Sequence, residues 1–315
     1  MTSTDSLSNL SLTLAVGLIV VVAATAVVVV RDRFPQRTAP LIGLANNGNF
    51  CFVNAAFQLL AAASTWSNAG NQGIKMFFAD KFCALLHALN KGSDKDHCIL
   101  EVAEVVEEFP CAMPKQQDSH EFLMFLLPLL ESRTDSFTFS LQERLRCGMC
   151  KRVRTIESAS TKQQMLTISP VDLECLQLLI QREFKVQMLQ DVHCPTCKAR
   201  TRTQKKCEIQ SLGDNWVLHL ARLGFGGGSL GKSMQSVNCP FELDAGKVLG
   251  KQFRLVYELM AFIVHLGSAL SGHYICYRKF KGEWFAVSDE KVKKVDGLPS
   301  TSQAYILLYS KKILE

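Results

Sequence analysis

Hydrophobic positions fall into three textures along the chain. Residues 12–30 carry no charge and are broken only by Thr13, Gly17 and Thr25. At about 1.5 Å rise per residue, a helix of that length spans close to the ~30 Å hydrocarbon core of a bilayer. Only Asp5 precedes the run, whereas Arg31, Arg33 and Arg37 follow it. That asymmetry predicts a body on the cytosolic side and a short N-terminus across the membrane. Ala24-Thr25-Ala26 keeps a cleaved signal peptide open, but the positive leading region is missing and the valines before the arginines read as a stop. The expected organisation is a tail over 1–11, a transmembrane anchor over 12–30, a linker over 31–40 and one folded body over 41–312.

Apolar residues next recur every three or four positions, predicting helices over 51–63, 74–90, 98–109 and 118–127, the last stopped by Pro128. From residue 136 the period shortens to two, predicting strands over 136–146, 253–266, 273–280 and 304–310. Helices first and strands later describe an α+β protein whose site lies where the two halves meet. Residues 224–233 form a Gly-rich, low-complexity loop.

Composition narrows the function classes. Lys and Arg exceed Asp and Glu by 35 to 29, a net charge of +6 that is too mild and evenly spread for a nucleic-acid binder. Twelve cysteines in a cytosolic body point to metal or thiol chemistry rather than disulfides. Four of them form two C-x-x-C knuckles, Cys147/Cys150 and Cys194/Cys197. Paired knuckles offer four thiolates to a closed, tetrahedral, structural zinc, and a ribbon with one knuckle at each of two hairpin tips tolerates the long insertion between them.

Cys51 follows the Gly/Asn-rich segment Gly43-Leu44-Ala45-Asn46-Asn47-Gly48-Asn49-Phe50 and opens a predicted helix. Free N–H groups at a helix start favour an anion, and the Asn46 amide is a candidate donor to the oxyanion of an acyl-transfer intermediate. A buried structural cysteine is the plain alternative. Among the seven histidines, His273 is the best-placed base: Ser271-Gly272 precede it, an alternating strand follows, and Trp284–Asp289 offers polar groups on a neighbouring strand. His219 and His265 lie inside apolar strands and read as core residues. Gly226–Ser233 satisfies the phosphate-loop pattern G-x-x-x-x-G-K-S, but Pro240 leaves no room for the required helix, so no nucleotide is expected.

The cysteine segment, Gln117-Asp118-Ser119-His120-Glu121-Phe122-Leu123, and Gly272-His273-Tyr274 with Trp284–Asp289 together resemble the three boxes of the ubiquitin-specific proteases, a family of cysteine deubiquitinases. With the expected anchor, the resemblance narrows to the member held in the mitochondrial outer membrane. It implies a papain-like hand with a helical thumb, a β palm and zinc-ribbon fingers that include 136–210. It also implies Cys51 as nucleophile, His273 as base, Asn46 as oxyanion donor, and Ser288 in the position that orients His273, with Asp289 beside it. Asp118 and Glu121, with Gln117, Gly272 and Tyr274, are implied to hold the ubiquitin tail, although Asp118 and Glu121 also form a helix-capping pattern. Phe50, Ala55 and Ser288 depart from the usual residues, although the mitochondrial member also has a serine where Ser288 stands. The implied partners are ubiquitin, ubiquitinated membrane proteins and the membrane itself. The rival readings are a catalytically weak ubiquitin-binding scaffold and a protease of another ubiquitin-like modifier.

Overall fold

The computed structural model describes residues 41–46, 48–63, 85, 86, 89, 117–131, 135–156, 162–170, 175–226 and 229–312. The expected anchor and the expected helix over 98–109 lie outside these residues, as does most of 74–90, of which Leu85, Leu86 and Leu89 are buried. No helix among the described residues is long and apolar enough to cross a membrane.

Among the described residues the α-helices with defined bounds are α1 (Cys51–Ala61), α2 (Ser119–Glu131), α3 (Leu176–Glu183) and α4 (Ala245–Val248), with a 3-10 turn over Asp135–Phe137 and helical backbone also at residues 85, 86 and 89. The strands begin with β1 (Phe139–Cys147), β2 (Val153–Ile156), β3 (Lys162–Gln163), β4 (Met165–Ile168), β5 (Gln187–Cys194) and β6 (Ala199–Leu212). Next come β7 (Asn215–Leu220), β8 (Leu223–Gly226), β9 (Ser229–Lys232), β10 (Glu242–Asp244) and β11 (Val256–Gly267). The last four are β12 (Gly272–Phe280), β13 (Glu283–Ser288), β14 (Lys291–Lys294) and β15 (Ala304–Lys311).

The larger sheet runs β14-β13-β12-β11-β15-β7-β4, with β10 on β11, and only the β4–β7 pair is parallel. One face carries Ala261, Ile263, Ile306 and Leu308 against α1; the other carries Trp216, Leu218, Phe262 and Leu307 in a second cluster with α3. This alternation is what a strand buried on both faces requires. The smaller sheet runs β2-β1-β6-β5, and Gly213-Asp214 joins β6 to β7 in the larger one.

Every residue of α1 is buried, including the polar Asn54 and Gln58. Burial of such groups is tolerable only with partners. Gln58 donates to Ile42 O at 2.8 Å and accepts from Arg278 Nη1 at 2.9 Å, while Arg278 Nη2 reaches Ala61 O at 3.2 Å. The buried Arg278 therefore closes the C-terminal end of α1, and burial pulls its pKa down only to about 10, so it stays charged.

Two expectations need correction. Helix α2 does not stop before Pro128 but runs through it to Glu131. Proline removes the hydrogen bond to Met124 O, and both residues lie on the exposed face, where such a loss costs least. The Gly-rich segment is also no loose loop. It folds as the antiparallel hairpin β8–β9, with Leu223 opposite Lys232 and Gly224 opposite Gly231.

Candidate active site

The cysteine segment is built around one carboxylate. Strand β13 ends at Ser288, and Asp289 turns into the left-handed region at φ 51°. That turn brings consecutive side chains to the same side, which an uninterrupted strand forbids. Ser288 Oγ lies 2.8 Å from His273 Nε2, and Asp289 Oδ2 lies 3.9 Å from the same nitrogen. The carboxylate is instead occupied elsewhere: Oδ2 accepts from Asn46 Nδ2 at 2.9 Å and Oδ1 from Asn54 Nδ2 at 2.8 Å. Its backbone carbonyl accepts from Leu44 N at 3.0 Å. Gly43 passes so near that a Cβ there would stand 2.6 Å from Asp289 O, which explains the glycine.

The cysteine loop is thus tied to the histidine hairpin. Asn46 Oδ1 accepts from Phe50 N at 2.9 Å, one residue before Cys51, and Asn54 Nδ2 also contacts Leu44 O and Ala45 O. Cys51 is buried at the head of α1, which packs across β12, the strand that begins with Gly272 and His273. His273 is only partly exposed, with its Nδ1 edge free of the Ser288 contact. Cys51, Asn46, His273, Ser288 and Asp289 therefore converge at one junction of helix and sheet.

Of the residues expected to hold a substrate tail, Asp118 is heavily engaged within the protein. It caps α2 by accepting from His120 N at 2.8 Å, and it accepts from the Tyr305 hydroxyl at 2.7 and 2.9 Å and from Tyr274 at 3.4 Å. Burial first, and Asp118 second, raise both tyrosine pKa values, keeping these hydroxyls as donors. Tyr274 is buried, Glu121 is exposed, and Gln117 is partly exposed. Gly272 has a steric reason: a Cβ there would stand 2.2 Å from both His265 Nε2 and Leu266 O.

His219 and His265 are buried, and burial pulls them down to about 3 and about 4, so both are uncharged at neutral pH and poor proton acceptors. His219 stacks on His120 with ring centroids 3.8 Å apart. Asn54 and Tyr305 were not singled out from sequence. An amide within a mostly apolar helix was the available signal for the first, because it demands a partner.

At the far end of the smaller sheet, Cys147, Cys150, Cys194 and Cys197 bring their sulfurs within 4.8 Å of one another. Cys147 Sγ lies 3.9 Å from Cys197 Sγ, and Cys150 Sγ 3.8 Å from Cys194 Sγ. A tetrahedron with metal–sulfur bonds of about 2.3 Å has edges of roughly 3.8 Å, so the four residues fit a zinc ion. The Thr201 hydroxyl and the Cys150 amide pull the Cys147 thiol down to about 6, whereas Cys197, hydrogen-bonded to Cys150 and desolvated, is pushed up to about 12. The described cysteines form no disulfide.

Residues 42–309 match the ubiquitin carboxyl-terminal hydrolase family. The chain belongs to that family. Among curated relatives, ubiquitin carboxyl-terminal hydrolase 19 of Arabidopsis thaliana is 26% identical over 310 residues, covering 85% of this chain and 45% of its own length. Human ubiquitin carboxyl-terminal hydrolase 42 is 27% identical over 309 residues, covering 85% of this chain and 22% of its own. The chain spans less than half the length of the first curated relatives it matches. The fold is that of the SAGA Ubp8/Sgf11/Sus1/Sgf73 DUB module bound to ubiquitin aldehyde, with a TM-score of 0.73 at 22% identity, covering 90% of this chain and 72% of that one. The same module bound to monoubiquitin gives 0.74 at 21% identity, covering 94% of this chain and 75% of that one. In this member of the family, the cysteine and histidine segments meet where α1 packs on the larger sheet, and the knuckles lie at the far end of the smaller one.

Proposed function

We propose that this chain is a thiol deubiquitinase that hydrolyses isopeptide bonds at the C-terminal glycine of ubiquitin. The observation that carries this reading is the Ser288–His273 contact on the strand packed against the helix that Cys51 opens. Cys51 gives its thiol proton to His273, and the resulting thiolate Sγ attacks the glycine carbonyl. Asn46 Nδ2 carries two protons; one goes to Asp289 Oδ2, and the other serves the oxyanion together with backbone N–H groups at the head of α1. Ser288 engages Nε2, so Nδ1 of His273 is the nitrogen that gives a proton to the departing lysine amine. In the second half the same nitrogen takes a proton from water, and the hydroxide equivalent cleaves the thioester, releasing ubiquitin and restoring the thiol.

Cys147, Cys150, Cys194 and Cys197 would hold a structural zinc, which would tie the two fingertip hairpins together. The uncharged run over 12–30 and the arginines after it support a membrane anchor with the body facing the cytosol, and the resemblance drawn from the sequence favours the mitochondrial outer membrane. Its clients are then ubiquitinated proteins of that surface.

The test is incubation of the full chain with ubiquitin bearing a C-terminal electrophile, beside ubiquitin-like proteins bearing the same group. Labelling by ubiquitin that disappears in Cys51→Ala supports the reading. Labelling that persists in that variant, or that only another modifier gives, defeats it.

A further inference from the structure

The phosphate-loop lookalike supplies a lysine whose place in the fold has a different meaning. Lys232 ends β9, and its Nζ donates to His265 O at 2.6 Å and to Gly267 O at 2.8 Å. Both carbonyls belong to the last turn of β11, where His265 faces Tyr274, Leu266 faces His273 and Gly267 faces Gly272. A Cβ on Gly272 would touch Leu266 O, so that carbonyl points towards β12. By strand alternation the carbonyls of His265 and Gly267 point to the opposite edge. On that edge β15 pairs with β11 only as far as Ala304 opposite Val264. Lys232 thus supplies hydrogen-bond donors just where the neighbouring strand runs out.

What it supports is the end of the histidine hairpin. Leu266 and Leu270 are exposed, and Gly267 sits at φ +99°, so little packing holds this tip in place. Hairpin ends with few buried contacts open first. Beneath the tip lies the His265 ring, against which Gly272 rests with no room for a side chain. Lys232, Asp118, Tyr274 and His273 surround that ring. The lysine is itself anchored, because Ser233 N donates to Arg222 O while the buried Arg222 guanidinium binds the carbonyls of Ala304, Gln235 and Ser302.

We propose that Lys232 is a positioning residue for His273: by binding two outward carbonyls of β11 it locks the β11–β12 tip and ties the β8–β9 hairpin to it. The assignment rests on the deubiquitinase reading for its kinetic consequence but not for its structural one. A half-buried cationic donor shared by two carbonyls makes a charge-assisted contact. Its loss leaves the ladder opposite His273 free to fray, and a displacement of about 1 Å in a catalytic group costs roughly a hundredfold in rate. The burden falls on turnover rather than on ubiquitin affinity, because Lys232 spends its donors inside the protein.

The experiment compares wild type, Lys232→Met and Lys232→Arg as full chains. Lys232→Met is expected to lower kcat by roughly ten- to a hundredfold, with KM for a ubiquitin substrate within about twofold. Lys232→Arg, which keeps donors on a cation, restores most of it. Amide hydrogen exchange is followed in parallel. In Lys232→Met the segment 266–273 should exchange at least about tenfold faster while α1 and β15 are unchanged. An unchanged kcat, a raised KM at constant kcat, or unchanged exchange at the tip overturns the assignment. Exchange that quickens throughout the palm overturns it too, since the lysine is then merely structural. If wild type itself shows no ubiquitin hydrolysis, the functional reading fails and the exchange arm still decides the clamp.

Discussion

Asn54 lies wholly buried in α1 and gives its amide to Asp289, a residue 235 positions later, at 2.8 Å. This contact fixes the helix that begins with Cys51 against the turn that follows Ser288. Asp289 also holds Asn46, so its role is to set the cysteine loop, while Ser288 is the group in contact with the imidazole. Ser288→Ala is expected to lower kcat/KM by roughly tenfold to a hundredfold with little change in Tm, and Ser288→Asp or Ser288→Asn should retain activity. Asp289→Ala should instead lower both activity and Tm, since it takes from the buried Asn54 amide its shortest contact, leaving only Leu44 O and Ala45 O at 3.3 and 3.2 Å, at a cost of roughly 1 kcal/mol, and frees the exposed Asn46. Steady-state kinetics and thermal melting check both; Ser288→Ala with undiminished kcat/KM would refute the assignment.

The fingertip cluster predicts a metal requirement. Purified protein should carry one zinc per chain by elemental analysis, and Cys150→Ser should lose it. The smaller sheet would then lose its far closure and become the first segment cleaved in limited proteolysis. A metal-free protein with protected fingers would contradict the four-cysteine fit.

Gly272 admits no side chain, because a Cβ would stand 2.2 Å from Leu266 O and His265 Nε2. Gly272→Ala must push the start of β12 aside, and with it His273. Turnover should fall by about a hundredfold or more, while zinc content and the overall melting transition persist. Near-normal turnover would show that the strand start is slack.

Stability should depend on pH through the buried histidines. Burial lowers His219 to about 3 and His265 to about 4, and also lowers His120. In the unfolded chain these rings take up protons near pH 6.5, so below that pH the unfolded state binds more protons and stability falls as pH falls. Each such ring contributes up to about 1.4 kcal/mol per pH unit. His219→Phe keeps a ring against His120 and should flatten the fall of Tm between pH 6.5 and 4.5. An unchanged slope would exclude His219 as a contributor.

The chemistry was more legible in the sequence than the scaffolding around it. Cys51, His273 and the knuckles advertise themselves through spacing that the chain needs for turns, helix starts and hairpin tips. Pro128 misled because the lost hydrogen bond costs least on an exposed face, so the helix runs on past it. The glycines of 224–231 suggested looseness, whereas their small size lets two strands pair in a tight hairpin. Asp118 was read through its charge, yet Tyr305, 187 positions away, decides what its carboxylate does. Arg278 gave no signal at all, since nothing local marks an arginine as the closing group of a buried helix.

Strand β6 runs for 14 residues from the cysteine cluster to Gly213, a length of about 46 Å at ~3.3 Å per residue. Gly213 is hemmed in by the carbonyls of Asp135, Ser136 and Thr138, and its amide is bonded to Thr138 O, so the base of this rod is a rigid fulcrum rather than a free swivel. A 2 Å shift at the fingertips then amounts to a tilt of only about 2.5° at the palm, given that ~46 Å arm. Mechanical advantage therefore runs outward: a bulky cargo seated against the tips is accommodated over ångströms, while the same motion reaches Trp216 and Tyr309, paired where β7 meets β15, as a fraction of one.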